Sequence, residues 1–402
     1  MKAVITLART VLLLAVMAVL ASPLPAQFRD DFDGPALPKD PDGAAGWAWL
    51  AGEGEAVVDL VQGPGFATVV VDATRDRRNV WWAFIMRRVS GALDLARLKE
   101  PGGELRVEAR VRTSRAPRRI NLHLNTQRTT DFHSHLMEYD LAEPGTWYTV
   151  SMTTRGFEAG PGDAVNAQLA LMDWGRGVYR LDVDYLRVDV VDAAGAGPDL
   201  GPPIPYHPPV ADPASFAQAV AVSADMTVDL GEPGLNLNDW TIRDAGGRAA
   251  VISAGGTRLA LLRWDLGRFA GKKVSGPGQL ELTTRALELP VADRPDFGLL
   301  RVVEVLRGDP SWDEGTATWA GLTRGVDRDE ALNPQPIIDW PVAAGDGAKT
   351  RLTIPAPVLQ RLVDGRTLGI ALTPLGAVEA SFYAREERGG RSAAVLRFNI
   401  KE

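Results

Sequence analysis

Residues 120 to 140 read INLHLNTQRTTDFHSHLMEYD. In the first seven residues Ile120, Leu122 and Leu124 alternate with Asn121, His123 and Asn125, which predicts a strand with one apolar and one polar face. The polar face carries amides and imidazole in place of the Lys, Glu and Thr of an ordinary solvated sheet. Such groups donate and accept hydrogen bonds without fixed charge, which suits sugar hydroxyls or proton transfer. Three of the four histidines, His123, His133 and His135, fall in this stretch.

Outward from it, short alternating segments recur at 56–60, 67–72, 80–89, 103–113, 133–141, 146–154 and 164–172, and one helical turn is expected at 93–99. Many short strands without a long helix predict a β-sandwich. Alternation also assigns faces. Arg110 and Arg112 lie opposite the apolar parity of their strand. Asn166, Gln168 and Trp174 lie opposite Val165, Ala167, Leu169 and Leu171. His133, His135, Met137 and Tyr139 share one parity. If these strands are neighbours, one sheet face gathers His, Asn, Gln, Arg, Tyr and Trp.

The chain of 402 residues has a formal charge of −7 and no cysteine. That length suits two domains. The mild acidity, with no basic block, argues against a nucleic-acid partner. Disulfides and thiolate chemistry are excluded. Residues 1–26 read as an export signal: Lys2 and Arg9, then an apolar run from Val11 to Leu20, then small residues. Ten apolar residues are too few for a hydrocarbon core of about 30 Å. A secreted or periplasmic, not membrane-spanning, protein is expected. Residues 193–217, rich in Pro, Gly and Ala, read as a semi-rigid linker, with His207 solvated within it.

The first domain, 27–192, resembles the galactose-binding-like jelly-roll modules that accompany carbohydrate-active enzymes. The resemblance rests on Phe28–Asp33, on the closing strand Tyr179–Val190, and on the amide and Trp face. It implies a sugar-holding face and an ion joining the first and last strands. Calcium on Asp31, Asp33 and Asp189 is the expectation, since hard cations take oxygen ligands. Trp82, Trp147 and Trp174 are candidate platforms for sugar rings.

The second domain, 218–402, is again β-rich, with a short helix expected at 355–362. It resembles the DNRLRE family of extracellular β-sandwich domains in four pieces. These are Asp225–Val228 with Gly234–Asn238, Leu259–Leu266, Trp312–Trp319, and Phe382–Glu386 before Val395–Phe398. Ala394 stands where that family commonly has proline. The resemblance implies a polysaccharide partner, and because some members bind alginate, an anionic one.

Three chemistries are open to the histidine cluster. A lyase acting on uronates needs a base, an acid and a group that neutralises the carboxylate. His123 or His135, Tyr139, and Arg110 or Arg128 would supply them. A hydrolase needs paired carboxylates, such as Glu138 with Asp131 or Asp140. His133-x-His135 with His123 could hold Zn²⁺ or Cu²⁺. Binding without catalysis would use Asn121, Asn125, His133, Asn166 and Gln168, with Arg110 and Arg112 for an acidic sugar. The expectation is an all-β, two-sandwich protein that binds an anionic polysaccharide, with a polysaccharide lyase or hydrolase, or a matrix protein, as alternatives.

Overall fold

The structure, a computed structural model, describes residues 28–36, 38–205, 208–238, 247, 249–289 and 298–401. The expected export signal and His207 lie outside these residues, as does the stretch 240–243, which reads as a strand in the sequence. The chain forms two antiparallel β-sandwiches, as the alternation predicts.

The first sandwich has two six-stranded sheets. One runs Val57–Gly63, Phe66–Asp72, Val178–Asp192, Gly103–Thr113, Tyr148–Thr153, with Phe28–Asp30 also on the long closing strand. The other runs Pro203–Ile204, Leu136–Leu141, Arg118–Thr126, Val165–Met172, Trp82–Arg88, Ala48–Gly52. Their inner faces meet in one core. Ile120, Leu122 and Leu124 of the opening stretch are 0 to 2% exposed within it. Burying side chains of this size contributes about 1.5–3 kcal/mol each. The first and last strands do pair, Phe28 opposite Val188. The expected helical turn is present as Leu95–Lys99, capped by the Asp94 carboxylate.

The expected linker is not a free spacer. Pro203–Ile204 adds to the second sheet beside Tyr139 and Glu138. Arg106 holds the Pro198 carbonyl and Asp199 at 3.0 Å each. The segment is therefore fastened to the first sandwich before the chain enters the second.

The second sandwich packs a sheet of Gln218–Ala221, Val395–Phe398, Gly278–Glu288, Glu379–Tyr383 and Val251–Ala254, with Lys349–Ile354 on Gly278–Glu288. Its other sheet is Ala224–Asp229, Arg258–Arg263, Gly369–Gly376, Gly298–Val305 and Ile338–Pro341. The helix Ala356–Val363 buries Val358, Leu359 and Leu362 as their spacing predicts. The quoted motif pieces converge. Arg385 bonds Glu314 at 2.7 and 3.2 Å, the Asp225 amide donates to Glu314 at 2.8 Å, and the Arg385 amide donates to Asp225 at 3.0 Å. Trp312 is buried under Arg263, whose guanidinium lies 5.0 Å from its ring. That tryptophan pins a turn to the core.

The two sandwiches are joined by buried polar contacts. The Arg361 guanidinium bonds Asp140 of the first sandwich and Glu304 of its own, and all three side chains are under 10% exposed. Arg118 donates to Asn333 at 2.9 Å, and Arg119 donates to the carbonyls of Pro336 and Ile337. Arg301 bonds Asp173 and the Asn79 carbonyl across the seam, and Asp339 on its own side. At Gly175, φ is +112°, and an added Cβ would lie 2.7 Å from Pro334 of the other sandwich. Only glycine fits there.

Candidate functional site

The polar parity of the Arg118–Thr126 strand faces outward on the second sheet, and register gives it neighbours. His123 stands opposite Gln168 and Leu136, and Gln168 opposite Met86. Asn121 lies between Glu138 and Ala170, with Phe84 next. Asn125 lies opposite Asn166, then Arg88. Trp82 ends the face beside Met172. Residues opposite one another in antiparallel strands share a face. Asn121, His123, Asn125, Asn166, Gln168 and Trp82 are therefore gathered on one surface.

Several of its polar groups are unsatisfied within the protein. Asn166 donates to Asn125 Oδ1 at 3.3 Å. That leaves Asn125 Nδ2 as a donor and Asn166 Oδ1 as an acceptor with no hydrogen-bond partner among the described residues. Both ring nitrogens of His123 are buried without a well-formed hydrogen bond, the Phe132 backbone being the nearest interacting group. Buried polar groups are normally paired, so a cluster of unpaired ones on one face is unusual. These donor and acceptor atoms are themselves buried and not open to solvent. Burial pulls the His123 pKa down to about 4; the His133 charge lowers it further, and the Phe132 backbone acts in the other direction. The imidazole is therefore neutral near pH 7, with one donor and one acceptor nitrogen. Gln168 reaches the Met86 sulfur at 3.5 Å. Asn121, with its nitrogen toward Glu138, donates to Oε1 at 3.3 Å.

The face has an aromatic corner. Trp82 and Phe84 stack with centroids 5.4 Å apart and planes 6° from parallel. They are i,i+2 on one strand and so point the same way. Neither is fully buried. Trp82 lies over Gly52, where any Cβ would collide with its ring. At its other end the face runs into the seam between the sandwiches. There Arg119, Glu138, Met172, Pro336 and Asp339 line a cavity of 280 Å³.

Other expected site residues lie elsewhere. Tyr139 stands opposite Ile120, is 1% exposed, and donates its hydroxyl to the Ser151 carbonyl at 2.6 Å. It belongs to the core, where burial raises its pKa. The strand begins at Leu136, not His133, and its pairing sets Met137 and Tyr139 inward. His133 and His135 sit in the preceding loop. His133 is exposed and 3.3 Å from Asp131. His135 packs its ring edge-on to Phe157 at 5.0 Å and lines a separate 310 Å³ surface cavity. Burial lowers its pKa.

Trp174 is fully buried and donates to the Arg119 carbonyl at 2.7 Å. The strand ends at Met172, and Asp173 at φ +53° breaks the alternation and turns Trp174 inward. Arg110 and Arg112 belong to the other sheet, paired with Asp184 and Asp182 at 2.6 Å and flanking Trp147. Arg128 pairs with Asp163, and Glu138 with Arg119.

Nor does the structure assemble the expected calcium ligands. The pairing ends with Asp30 opposite Leu186, so the chain reaches Asp31 only after running past Leu186, away from Asp189. Asp31 is ion-paired with Arg29. Among the described residues no group of three or more His, Cys, Asp or Glu is placed to hold a metal ion. Met86 and Phe84 on the face escaped the sequence reading; their alternation with Ala83 and Ile85 was the available signal.

No family model and no curated protein matches the chain, so the DNRLRE resemblance has no such match behind it. Solved structures similar to it include the family 11 carbohydrate-binding module of a cellulosomal cellulase of Clostridium thermocellum. The identity is 14%, covering 41% of this chain and 95% of that one, with a TM-score of 0.26. The CBM22-2 xylan-binding domain from Paenibacillus barcinonensis is 16% identical, covering 41% and 100%, with a TM-score of 0.27. A Bacteroides thetaiotaomicron protein described as sugar-binding is 11% identical, covering 40% and 99%, with a TM-score of 0.29. Scores this low carry no argument about function, which rests on the geometry above.

Proposed function

We propose that this protein binds a polysaccharide along the outer face of the second sheet of its first sandwich, outside the cell. The observation that carries the reading is the conjunction of unpaired amide and imidazole groups with a stacked Trp82–Phe84 pair on one surface. Sugars present both hydroxyls and apolar C–H faces, and this surface offers a partner for each. Export is supported by the leader-like start of the sequence, and among the described residues no helix is long and apolar enough to cross a membrane.

The uncharged groups favour recognition of hydroxyls. The DNRLRE resemblance implied an anionic polymer, with Arg110, Arg112 and Arg128 as the candidate cations, and these are ion-paired with Asp184, Asp182 and Asp163. Arg88 and Arg119 are the cations on it, and Arg119 is committed to Glu138 and to the Pro336 and Ile337 carbonyls. Arg88, beside Asn166, is left for an acidic substituent. Lyase chemistry would require Tyr139 beside His123 or His135, and Tyr139 is buried in the core with its hydroxyl donated to the Ser151 carbonyl, on the opposite side of the sheet from His123.

The test is native affinity electrophoresis through gels containing neutral or uronate-bearing polysaccharides. Wild type should be retarded by at least one polymer, and Trp82→Ala should lose most of that retardation. Trp147→Ala, which removes a ring packed under Arg110 and Arg112 of the other sheet, should behave as wild type. Retardation that survives Trp82→Ala together with His123→Ala would place binding elsewhere.

A further inference from the structure

A second cavity lies on the seam between the sandwiches, apart from the sheet face. It is small, about 100 Å³, and its wall includes Arg77, Arg78 and Arg176 from the first sandwich and Arg301, Arg328 and Asp329 from the second. Two of the five arginines are compensated. Arg301 lies 3.0 Å from Asp173 and 2.8 Å from Asp339, and Arg176 lies 3.5 Å from Asp329. Arg77, Arg78 and Arg328 have no carboxylate within ion-pair distance among the described residues. The protein thus brings exposed arginines that lack an ion-pair partner among the described residues from both sandwiches to the wall of one pocket, although its net charge is −7.

Like charges converging on a pocket repel unless a counter-charge joins them. Arg328 shows the effect. Its side chain is exposed, yet its pKa is lowered, by desolvation first and then by the Arg176 charge, with Asp329 acting in the other direction. Guanidinium is the group best shaped for oxyanions, because its planar fork donates two parallel hydrogen bonds. The volume is well below the ~300 Å³ at which pockets begin to hold drug-sized ligands. It suits one anionic group and not a sugar ring.

We propose that this seam pocket is an oxyanion site, taking a sulfate, phosphate or carboxylate group between the two sandwiches, with Arg328, Arg77 and Arg78 as its principal ligands. The anion has two sources: a free inorganic ion, or a substituent carried on an oligosaccharide. Because both sandwiches supply arginines, occupancy would strengthen their docking.

The experiment is thermal unfolding and titration calorimetry of the full chain with sodium sulfate and sodium phosphate, against sodium chloride at matched ionic strength. The same titrations are run with a sulfated oligosaccharide and its unsulfated counterpart. Saturable stabilisation beyond chloride is expected, with affinity at least tenfold weaker in Arg328→Gln and in Arg77→Gln/Arg78→Gln. These polar variants keep the surface hydrated, and circular dichroism confirms folding. A sulfated oligosaccharide that binds tighter than free sulfate, with the advantage lost in Arg328→Gln, identifies the sugar-borne source. Equal binding identifies the free ion. No stabilisation beyond chloride by any probe, or wild-type affinity in both variants, would overturn the site. Trp82→Ala should leave anion binding unchanged, so failure here is distinguishable from failure of the sheet-face reading.

Discussion

Arg361 and Asp140 lie 221 residues apart and in different sandwiches, yet they form a buried bidentate ion pair, Nη1 to Oδ2 at 2.6 Å and Nη2 to Oδ1 at 3.1 Å. The same guanidinium bonds Glu304 at 2.8 and 3.0 Å, and Asn333 links Glu304 to Arg118 of the first sandwich. This chain of polar groups crosses the seam twice. A buried pair adds little against an apolar substitute, but breaking one strands its partner.

Arg361→Met should therefore leave Asp140 and Glu304 as buried carboxylates without a cation. The expected loss is about 3–5 kcal/mol in chemical denaturation. The triple variant Arg361→Met/Asp140→Leu/Glu304→Leu should recover much of it. If Arg361→Met unfolds like wild type, the triad does not hold the sandwiches together.

Arg385 is the cation in a cluster with Asp225, Glu314 and Glu386. Burial first, and then Glu386 and Glu314, hold the Asp225 pKa well above the usual carboxylate range. Arg385→Ala removes the attraction and leaves the repulsion. Its stability deficit should be largest toward higher pH, where Asp225 and Glu386, whose pKa values are both raised, carry charge. It should shrink as the pH falls and they take up protons. A deficit that is flat or grows on acidification, followed by thermal unfolding from pH 7.5 downward, would contradict this.

His123 gives a separate pH signature. Its folded pKa of about 4 lies below the unfolded value of 6.5. Between these values the unfolded chain binds the proton that the folded imidazole refuses, so stability falls as pH falls through this window. The difference between wild type and His123→Gln should shift against wild type by on the order of 3 kcal/mol from pH 7 to pH 4. Polysaccharide retention, which uses the neutral ring, should stay constant from about pH 8 to pH 5. A rise in retention near pH 6 would mean that the imidazolium is the binding form.

Asn125 and Asn166 share one hydrogen bond and leave a buried donor and a buried acceptor unpaired side by side. Each alanine variant should weaken polymer binding by about 1 kcal/mol, roughly fivefold. The double variant should cost less than the sum, because both amides meet the same hydroxyl. Strict additivity in calorimetric titration would mean that they act on separate parts of the ligand.

Much was legible without coordinates. Alternation in Ile120–Asn125 and Val165–Met172 assigns those side chains to the correct faces, because period two is a local property of an extended backbone. The same rule misplaces Trp174 one residue beyond a left-handed Asp173, where alternation stops. It misplaces Tyr139 because a nine-residue loop, 127–135, separates the two strands, and only pairing with Ile120 sets its side.

By itself, then, the sequence determined the β-sandwich class, the helix at 356–363 and the polar character of the strand bearing His123. All of these depend on neighbours within a few residues. Tertiary structure alone decided which strands adjoin, and so separated Arg110 and Arg112 from the amide face. It alone showed Arg361 reaching Asp140, and five arginines meeting at the seam. Those contacts join residues tens to hundreds of positions apart, and their energies depend on burial, which no local pattern encodes.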